Sequence, residues 1–431
     1  MTLPPLTDDF SETPLWWTLA GGMERGDSPP LPSRADVVVV GAGLTGAAAA
    51  QALAAAGRDV VLLDAGRPGG GASSRNGAML GRYFKHSFGQ MMEERGLDTA
   101  KAWFGELCEV YEDALTRIRA LNRPTGFRNC GRVVGAITGA HRDKLFREWE
   151  LRAKHVGEAV DFLDTGNPEL VSDRYSGGIH IRDNAAVNPA LYTRAMLDEA
   201  EARGARIIGH TPAAAILREG EGFVVHTPRG KVATRDVLIA TNGYTPKGQR
   251  WHHRRLIPIV AFMVGTEPLP DATVARLRAG RRTYHDNRKN STYYQITPDN
   301  RLALGGRTGL WHPSLARMAL RLRDEMTYFF PELRDVRISH AWRGKCAATE
   351  DLFPHVGQHD GMHFAMGYCF SGLAMAPYLG TKAAMAILGR TEEARSLFRL
   401  DAPRAVSWPA RQEWLIPLAM QYFRWQEPLP R

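Results

Sequence analysis

The sequence predicts an α/β protein, α+β overall, in which a βαβ unit is joined to a mostly antiparallel sheet. Two observations carry that expectation. Residues 37–40 (VVVV) are a short apolar run ending in Gly41-Ala42-Gly43-Leu44-Thr45-Gly46; an Ala-rich helical stretch leads to a second apolar run, 60–63, closed by Asp64. Further on, residues 256–267, 283–297 and 302–307 read as longer strands of an antiparallel sheet.

Strand, glycine turn, helix, strand and acid make the Rossmann-like unit of dinucleotide binding, and each part has a physical task. Gly41 allows the tight turn, Gly43 lets the backbone approach a pyrophosphate, and Gly46 lets the helix pack on the strand. The helix N-terminus faces the phosphate anion. Asp64 stands 18 residues after Gly46, where a carboxylate can accept both hydroxyls of an adenosine ribose. An acid rather than an arginine there argues against a 2′-phosphate. The unit runs into Gly69-Gly70-Gly71-Ala72-Ser73-Ser74-Arg75-Asn76-Gly77, a loop whose backbone amides can lie against a flat ligand. A second sharp glycine turn, Thr241-Asn242-Gly243-Tyr244, follows the apolar strand 237–240, where a chain in such a sheet meets the nucleotide again.

At 431 residues two or three domains are expected, and 44% hydrophobic with 23% charged residues suits a globular chain. No run of about 18 apolar residues occurs, and the first 17 residues have acids and prolines where a signal peptide needs a basic start. A cytoplasmic address is therefore expected. Cys108, Cys130, Cys346 and Cys369 show no CxxC spacing, which fits a reducing compartment. The net charge of +9 comes from arginines spread along the chain, with one basic cluster at 251–255, so nucleic acid is not an expected partner. His252 and His253 lack metal-ligand spacing, and no metal is expected.

In chain order, residues 1–32 form a Pro-rich and Gly-rich arm anchored by Leu15-Trp16-Trp17, with no chemistry expected of it. From 97 to 122 apolar residues recur at helical spacing; 127–137 reads as strands around Gly131, 141–155 as a helix and 179–181 as a strand. Asn188 as N-cap and Pro189 at the first helical position open a helix that ends at Gly204. Residues 206–209, 223–226 and 231–234 alternate as strands with turns between them. A helix over 316–330 is stopped by Pro331, and 367–388 begins as a glycine-rich turn and becomes a helix. The stretch 414–425, broken by Pro417, is expected to pack on its own domain rather than on a membrane, because its polar residues are few and not strongly basic.

These blocks resemble the D-amino acid oxidase superfamily of FAD-dependent oxidoreductases, which holds glycine oxidase, sarcosine oxidase and γ-glutamylputrescine oxidase. The resemblance spans residues 35–389 and is closest to the γ-glutamylputrescine oxidase branch. It rests on GAGLTG with Asp64, GASSRNG at 71–77, VLIATNGYT at 237–245, and the pair WRGKCAATEDLFPHVG (342–357) and GYCFSGLAMAPYLG (367–380), in the family's order. It implies FAD rather than NAD. It also implies an FAD-binding domain assembled from residues 33–100, 180–247 and 341–395, a substrate-binding domain from 101–179 and 248–340, the arm 1–32 and a tail at 396–431. By matched position, Gly41, Gly43, Thr45, Gly46, Asp64 and Ala65 would hold the ADP half, and Ser73, Ser74, Arg75, Asn76 and Gly77 would line the pyrophosphate and flavin. Thr241, Asn242 and Gly243 would meet the nucleotide again. Gly367, Cys369, Ser371, Gly372 and Leu373 would present amides and a helix start to the flavin pyrimidine edge, where reduced flavin carries negative charge.

Finer matches concern the chemistry. The run from Gly81 to Gly89 resembles the Arg-x-x-Arg-His-x-Tyr-Gly of sarcosine oxidases, where the first arginine lies by the flavin and the second meets the substrate carboxylate. Arg82 takes the first position, Lys85 the second, and His86 follows; the other reading is a solvated loop. Lysine offers a point charge in place of a fork. Cys346 stands where those oxidases bond a cysteine through sulfur to the flavin 8α-methyl; the alternative is a buried free thiol. Two departures weaken oxidation of a small N-methyl amino acid. The lysine placed above the flavin is Ala303 here, and the C-terminal carboxylate lysine is replaced by Ala374 or Met375.

The implied reaction is oxidation of an amine or amino acid: hydride passes to flavin N5, the imine is hydrolysed, and O2 becomes H2O2. A dehydrogenase serving a quinone or carrier, and an electron-relay subunit, stand as alternatives. The partners are then a small-molecule amine and O2 or another acceptor. Pocket candidates are Arg82, Lys85, His86, Tyr293, Tyr294, Arg307, His312 and Arg343. Tyr293 and Tyr294 alternate along a strand, so at most one faces the flavin. Arg307 and Arg343 either clamp a carboxylate or pair with acids.

Overall fold

The computed structural model describes residues 5–277, 282–306, 314–400, 403–407 and 416–427. Two large sheets and a small three-stranded one carry the chain. In the eight-stranded sheet, Arg34–Val40 lies between Val60–Leu63 and Gly230–Ile239, parallel to both, and Arg206–Ile208 continues beyond Val60–Leu63. Met362–Met366 joins the far end of Gly230–Ile239 in parallel; Gly222–Thr227 and Ala215–Glu219 extend its near end in antiparallel pairing. Val37, Val38 and Val39 are fully buried, as a strand covered on both faces requires.

One face of this sheet carries helices Leu44–Ala55, Leu97–Ala120, Pro189–Ala202 and Gly372–Ile387, which share a core. Ala47, Ala48, Ala49 and Ala50 have no exposed surface, and their small side chains let Gly372–Ile387 lie close alongside. Gly41 turns with φ +109°, and a Cβ there would stand 2.7 Å from the Ala240 carbonyl oxygen. A Cβ on Gly46 would overlap the Gly41 carbonyl oxygen. The turning and packing tasks read from the spacing are met. Asn188 caps its helix, its Oδ1 accepting the amides of Ala190 at 2.9 Å and Leu191 at 3.2 Å.

The nine-stranded sheet runs Leu6–Ser11, Ile338–Ala348, Ile257–Thr266, Leu302–Gly306, Tyr293–Ile296, Thr283–Asp286, Arg132–Gly135, Gly178–Ile181, Val160–Leu163. All its pairings are antiparallel except Leu6–Ser11 with Ile338–Ala348 and Thr283–Asp286 with Arg132–Gly135. Helix Leu315–Phe329 covers one face over Phe262, Tyr284, Tyr294 and Phe330. The other face looks toward the dinucleotide sheet across a large cavity.

The arm is built into the fold. Leu6–Ser11 is the edge strand of the large sheet, and helix Leu15–Leu19 buries Leu15, Trp16 and Trp17 against Ala78, Met263 and Trp342. The strand is polar (LTDDFS) and has no apolar alternation to announce it. In the tail, helix Ile416–Gln426 forms with Pro417 in its first turn, where proline is tolerated. Its Leu418, Tyr422 and Trp425 are exposed, Trp425 to 76%, yet Pro417 is buried, Leu418 borders the large cavity, and Gln426 and Glu427 accept hydrogen bonds from Lys289 at 3.1 and 2.7 Å, so the helix meets its own domain while its aromatic side faces solvent. Among the described residues no helix is long and apolar enough to cross a membrane.

Candidate active site

A cavity of about 1770 Å³ runs from the carboxyl ends of the parallel strands to the inner face of the nine-stranded sheet. At the first end, Asp64 accepts the Ala42 amide through Oδ2 and the Gly66 amide through Oδ1, each at 2.9 Å. Burial raises its carboxyl above the ordinary range against the pull of those two amides. Helix Leu44–Ala55 opens at Gly43, and the Leu44 amide donates to the Ser73 hydroxyl at 3.0 Å.

The 69–77 loop is clasped by three indoles. Trp17 Nε1 donates to Ser74 Oγ at 2.9 Å, Trp16 Nε1 to the Asn76 carbonyl at 2.8 Å, and Trp342 Nε1 to the Arg75 carbonyl at 2.9 Å. The Arg75 guanidinium lies 4.5 Å over the Trp17 ring and donates from Nε to the Gly70 carbonyl at 2.6 Å. Asn242, at φ +42°, accepts the Gly367 amide at 2.9 Å and so ties the second glycine turn to the C-terminal one. A Cβ on Gly243 would stand 2.6 Å from the Lys345 carbonyl oxygen, so the turn passes directly beneath that strand.

Cys369 at φ +39° and Phe370 at φ +73° are successive left-handed residues with side chains, a strained pair held by the Cys369 amide donating to the Ala347 carbonyl at 2.9 Å. Ser371 turns its hydroxyl back onto the Tyr368 carbonyl at 2.5 Å, which leaves the first amides of Gly372–Ile387 uncapped beside the cavity.

Of the residues expected at the cofactor, Gly41, Gly43, Thr45, Asp64, Ala65, Ser73, Arg75, Asn76 and Gly77 line the cavity. Thr241, Asn242, Gly243, Cys346, Cys369, Ser371, Gly372 and Leu373 line it too; Gly46, Ser74 and Gly367 lie behind it. The Cys346 thiol, half-buried beside Cys369 and Ile259, is raised well above the ordinary range by burial and then by Cys369. An acid at one end, two helix N-termini along the length and an apolar sheet face at the other suit a long dinucleotide with a flat ring system.

The expected substrate residues divide. Lys85 faces the cavity, its Nζ 5.7 Å from the Tyr83 ring and 5.2 Å from the Phe370 ring, and the Tyr83 oxygen holds its ammonium above the ordinary lysine range. Arg82 turns away, 4.9 Å over the Tyr111 ring with Glu112 at 3.8 Å and Asp183 at 3.7 Å. His86 stacks on Phe353 at 4.0 Å and donates to the Asp351 carbonyl at 2.8 Å. Both lie outside the cavity lining. Strand alternation sends Tyr293 inward, while Tyr294 points into the core with its hydroxyl 3.3 Å from that of Tyr175. Arg343 is exposed and lies outside the cavity lining, although Gly344 and Lys345 beside it belong to that lining. Arg307 and His312 lie outside the described residues.

Arg132, His285 and Tyr83 line the same end and were not singled out from the sequence. The one local signal was a charge at the head of an apolar strand, Arg132 before Val133 and Val134, directly after Gly131.

A family model described as FAD dependent oxidoreductase (DAO) matches residues 36–385. The chain is 28% identical over 408 residues to a probable oxidoreductase, OrdL, of Haemophilus influenzae, covering 92% of this chain and 93% of that one. It is 28% identical over 364 residues to the gamma-glutamylputrescine oxidoreductase of Escherichia coli, covering 83% and 84%. A crystal structure of glycine oxidase from Geobacillus kaustophilus superposes with a TM-score of 0.70 at 23% identity, covering 87% of this chain and 100% of that one. Because that family model spans most of its length, the chain belongs to the DAO family of FAD-dependent oxidoreductases.

Proposed function

We propose that this chain oxidises the C–N bond of an amine or amino acid with FAD, with oxygen as the electron acceptor. One observation carries the reading: a single cavity joins Asp64, two helix N-termini and a chamber ringed by Lys85, His285 and Tyr293. When bound, FAD supplies the acceptor for a hydride from the C–H beside the substrate nitrogen. Asp64, the 69–77 loop and the Gly372–Ile387 N-terminus would hold it, the last offering its positive end to the charge of the reduced ring.

The rest falls to side chains. His285 gives its Nδ1–H to the Asp286 carbonyl at 2.8 Å, which makes Nε2 an acceptor. Burial and then Arg132 hold the imidazole neutral, its pKa pushed down to about 4. A neutral imidazole adds no positive charge beside the substrate nitrogen, and its Nε2 can accept a hydrogen bond from the free amine. Tyr293, Met263 and Ile259 supply the apolar lining of the chamber. Per turnover, the substrate amine, dioxygen and water are consumed in equal amounts. They yield equal amounts of a carbonyl compound, the released amine (ammonia from a primary amine) and hydrogen peroxide. The amine substrates named for the E. coli and Bacillus relatives, a γ-glutamylated putrescine and glycine, support the same class.

The test is oxygen uptake by the FAD-loaded protein over a panel of amines and amino acids, with peroxide assayed alongside. Uptake matched one-to-one by peroxide is expected. Reduction without uptake would move the reading to a dehydrogenase, which one observation favours: Ala303, at the position of the sarcosine oxidase lysine, is fully buried against Met263 and Trp342 and brings no cation.

A further inference from the structure

Three arginines of the described chain are buried: Arg132 and Arg152 at 7% exposure and Arg288 at 9%. Arg152 donates to Glu158 at 2.5 and 2.7 Å, and Arg288 donates to Asp286 at 2.7 and 3.0 Å. Arg132 is the exception. Its hydrogen bonds go to the Thr283 hydroxyl and the Leu80 carbonyl, both at a long 3.4 Å, and no carboxylate among the described residues pairs with it. A guanidinium stays charged and carries five N–H donors, so burying one without a counter-ion costs free energy that something must offset.

The place of Arg132 says what that is. It lines the cavity at the chamber end, with Tyr83, Lys85 and His285 around it. The acids among the described lining residues are Asp64 and Asp360, both at the dinucleotide sheet. Among the described lining residues, Lys85 and Arg132 are the cations beside the neutral His285 imidazole, Lys289 and Lys345 add further positive charge to the same cavity, and no acid stands with them. Arg132 sits on a central strand, paired on one side with Thr283 and on the other with Ile181, so its base is rigid. A planar fork on a fixed strand matches a carboxylate bidentately.

We infer that Arg132 is the anchor for a carboxylate of the substrate, and that the chamber selects acid-bearing amines over polyamines. The inference rests on the amine-oxidation reading for the identity of the ligand as substrate, but not for the binding of a carboxylate. A second ammonium brought into the chamber meets Lys85 and Arg132, with no acid among the described lining residues beside them to receive it.

The probe is benzoate, titrated into the FAD-loaded protein and followed by its perturbation of the flavin absorption band. Wild type is expected to show a saturable shift, with benzamide producing none. Arg132→Met should bind benzoate roughly a hundredfold more weakly, since it removes one partner of a buried charge pair. Arg132→Lys, which keeps the charge and protects folding, should lose roughly tenfold because the fork is gone. FAD content and dithionite reduction, measured on each variant, identify any that has failed to fold. Equal benzoate affinity in wild type and a folded Arg132→Lys or Arg132→Met, or equal binding of benzamide, overturns the proposal. Benzoate binding that depends on Arg132 in a protein that oxidises no amine sinks the amine reading and leaves the anchor standing.

Discussion

Trp17, in the N-terminal arm, donates its indole N–H to the Ser74 hydroxyl at 2.9 Å, and the Ser74 hydroxyl donates in turn to the Gly69 carbonyl at 2.7 Å. The loop against which the cofactor would lie is thus held by a residue of the N-terminal arm that itself lines the cavity. Trp17→Phe keeps the ring and removes the donor. A buried hydrogen bond lost on one side costs about 1–3 kcal/mol, so the Kd for FAD should rise about tenfold or more. Ser74→Ala should do the same, and the double variant should add little, because both break one chain of bonds. Fluorescence titration of the apoprotein with FAD measures it; unchanged affinity in both single variants contradicts the coupling.

Two histidines give the protein a pH signature. Burial holds His252 and His285 neutral, each pushed from 6.5 down to about 4. In the unfolded chain both take a proton near 6.5, whereas folded they do so only near 4. Their contribution to stability is present above about pH 6.5 and is lost as pH falls toward about 4. The urea midpoint should therefore drop between about pH 7.5 and about pH 5, and His252→Gln should remove about one proton's worth of that slope. A flat midpoint across the window would count against the burial argument.

The adjacent tyrosines separate chamber from core. Tyr294→Phe loses the hydroxyl contact with Tyr175 and should cost about 1 kcal/mol of stability, with the flavin spectrum and turnover unchanged. Tyr293→Ala should shift the flavin band and slow turnover about tenfold or more, since it opens a wall of the chamber. Reversed phenotypes would mean that the strand faces the other way.

Cys346 lines the cavity, yet burial raises its thiol and disfavours the thiolate that a thioether would need. We predict that acid precipitation leaves the flavin in the supernatant. Flavin retained in the pellet, and released from Cys346→Ser, would establish the covalent bond instead.

What could be read ahead of the structure was what the backbone needs locally. Gly41, Gly46 and Asp64 declare a turn, a close approach and a strand end within one βαβ unit, and all three stand as read. Arg132 and His285 were hidden for the opposite reason. They meet because Thr283–Asp286 pairs in parallel with Arg132–Gly135, a junction about 150 residues apart in sequence that no local period encodes. For Tyr293 and Tyr294 the period gave one inward residue without saying which, since register across Leu302–Gly306 decides it. Lys85, Arg82 and His86 lie in an irregular loop, where side-chain direction follows partners such as Glu112 and Phe353 rather than spacing.

Anaerobic mixing of the FAD-loaded protein with primary and secondary amines, with and without a carboxylate, tests the account most directly. The flavin band should bleach with an acid-bearing amine, stay oxidised with putrescine, and return when air is admitted. A band that dithionite bleaches fully, but that no amine or amino acid touches, would contradict the proposed chemistry.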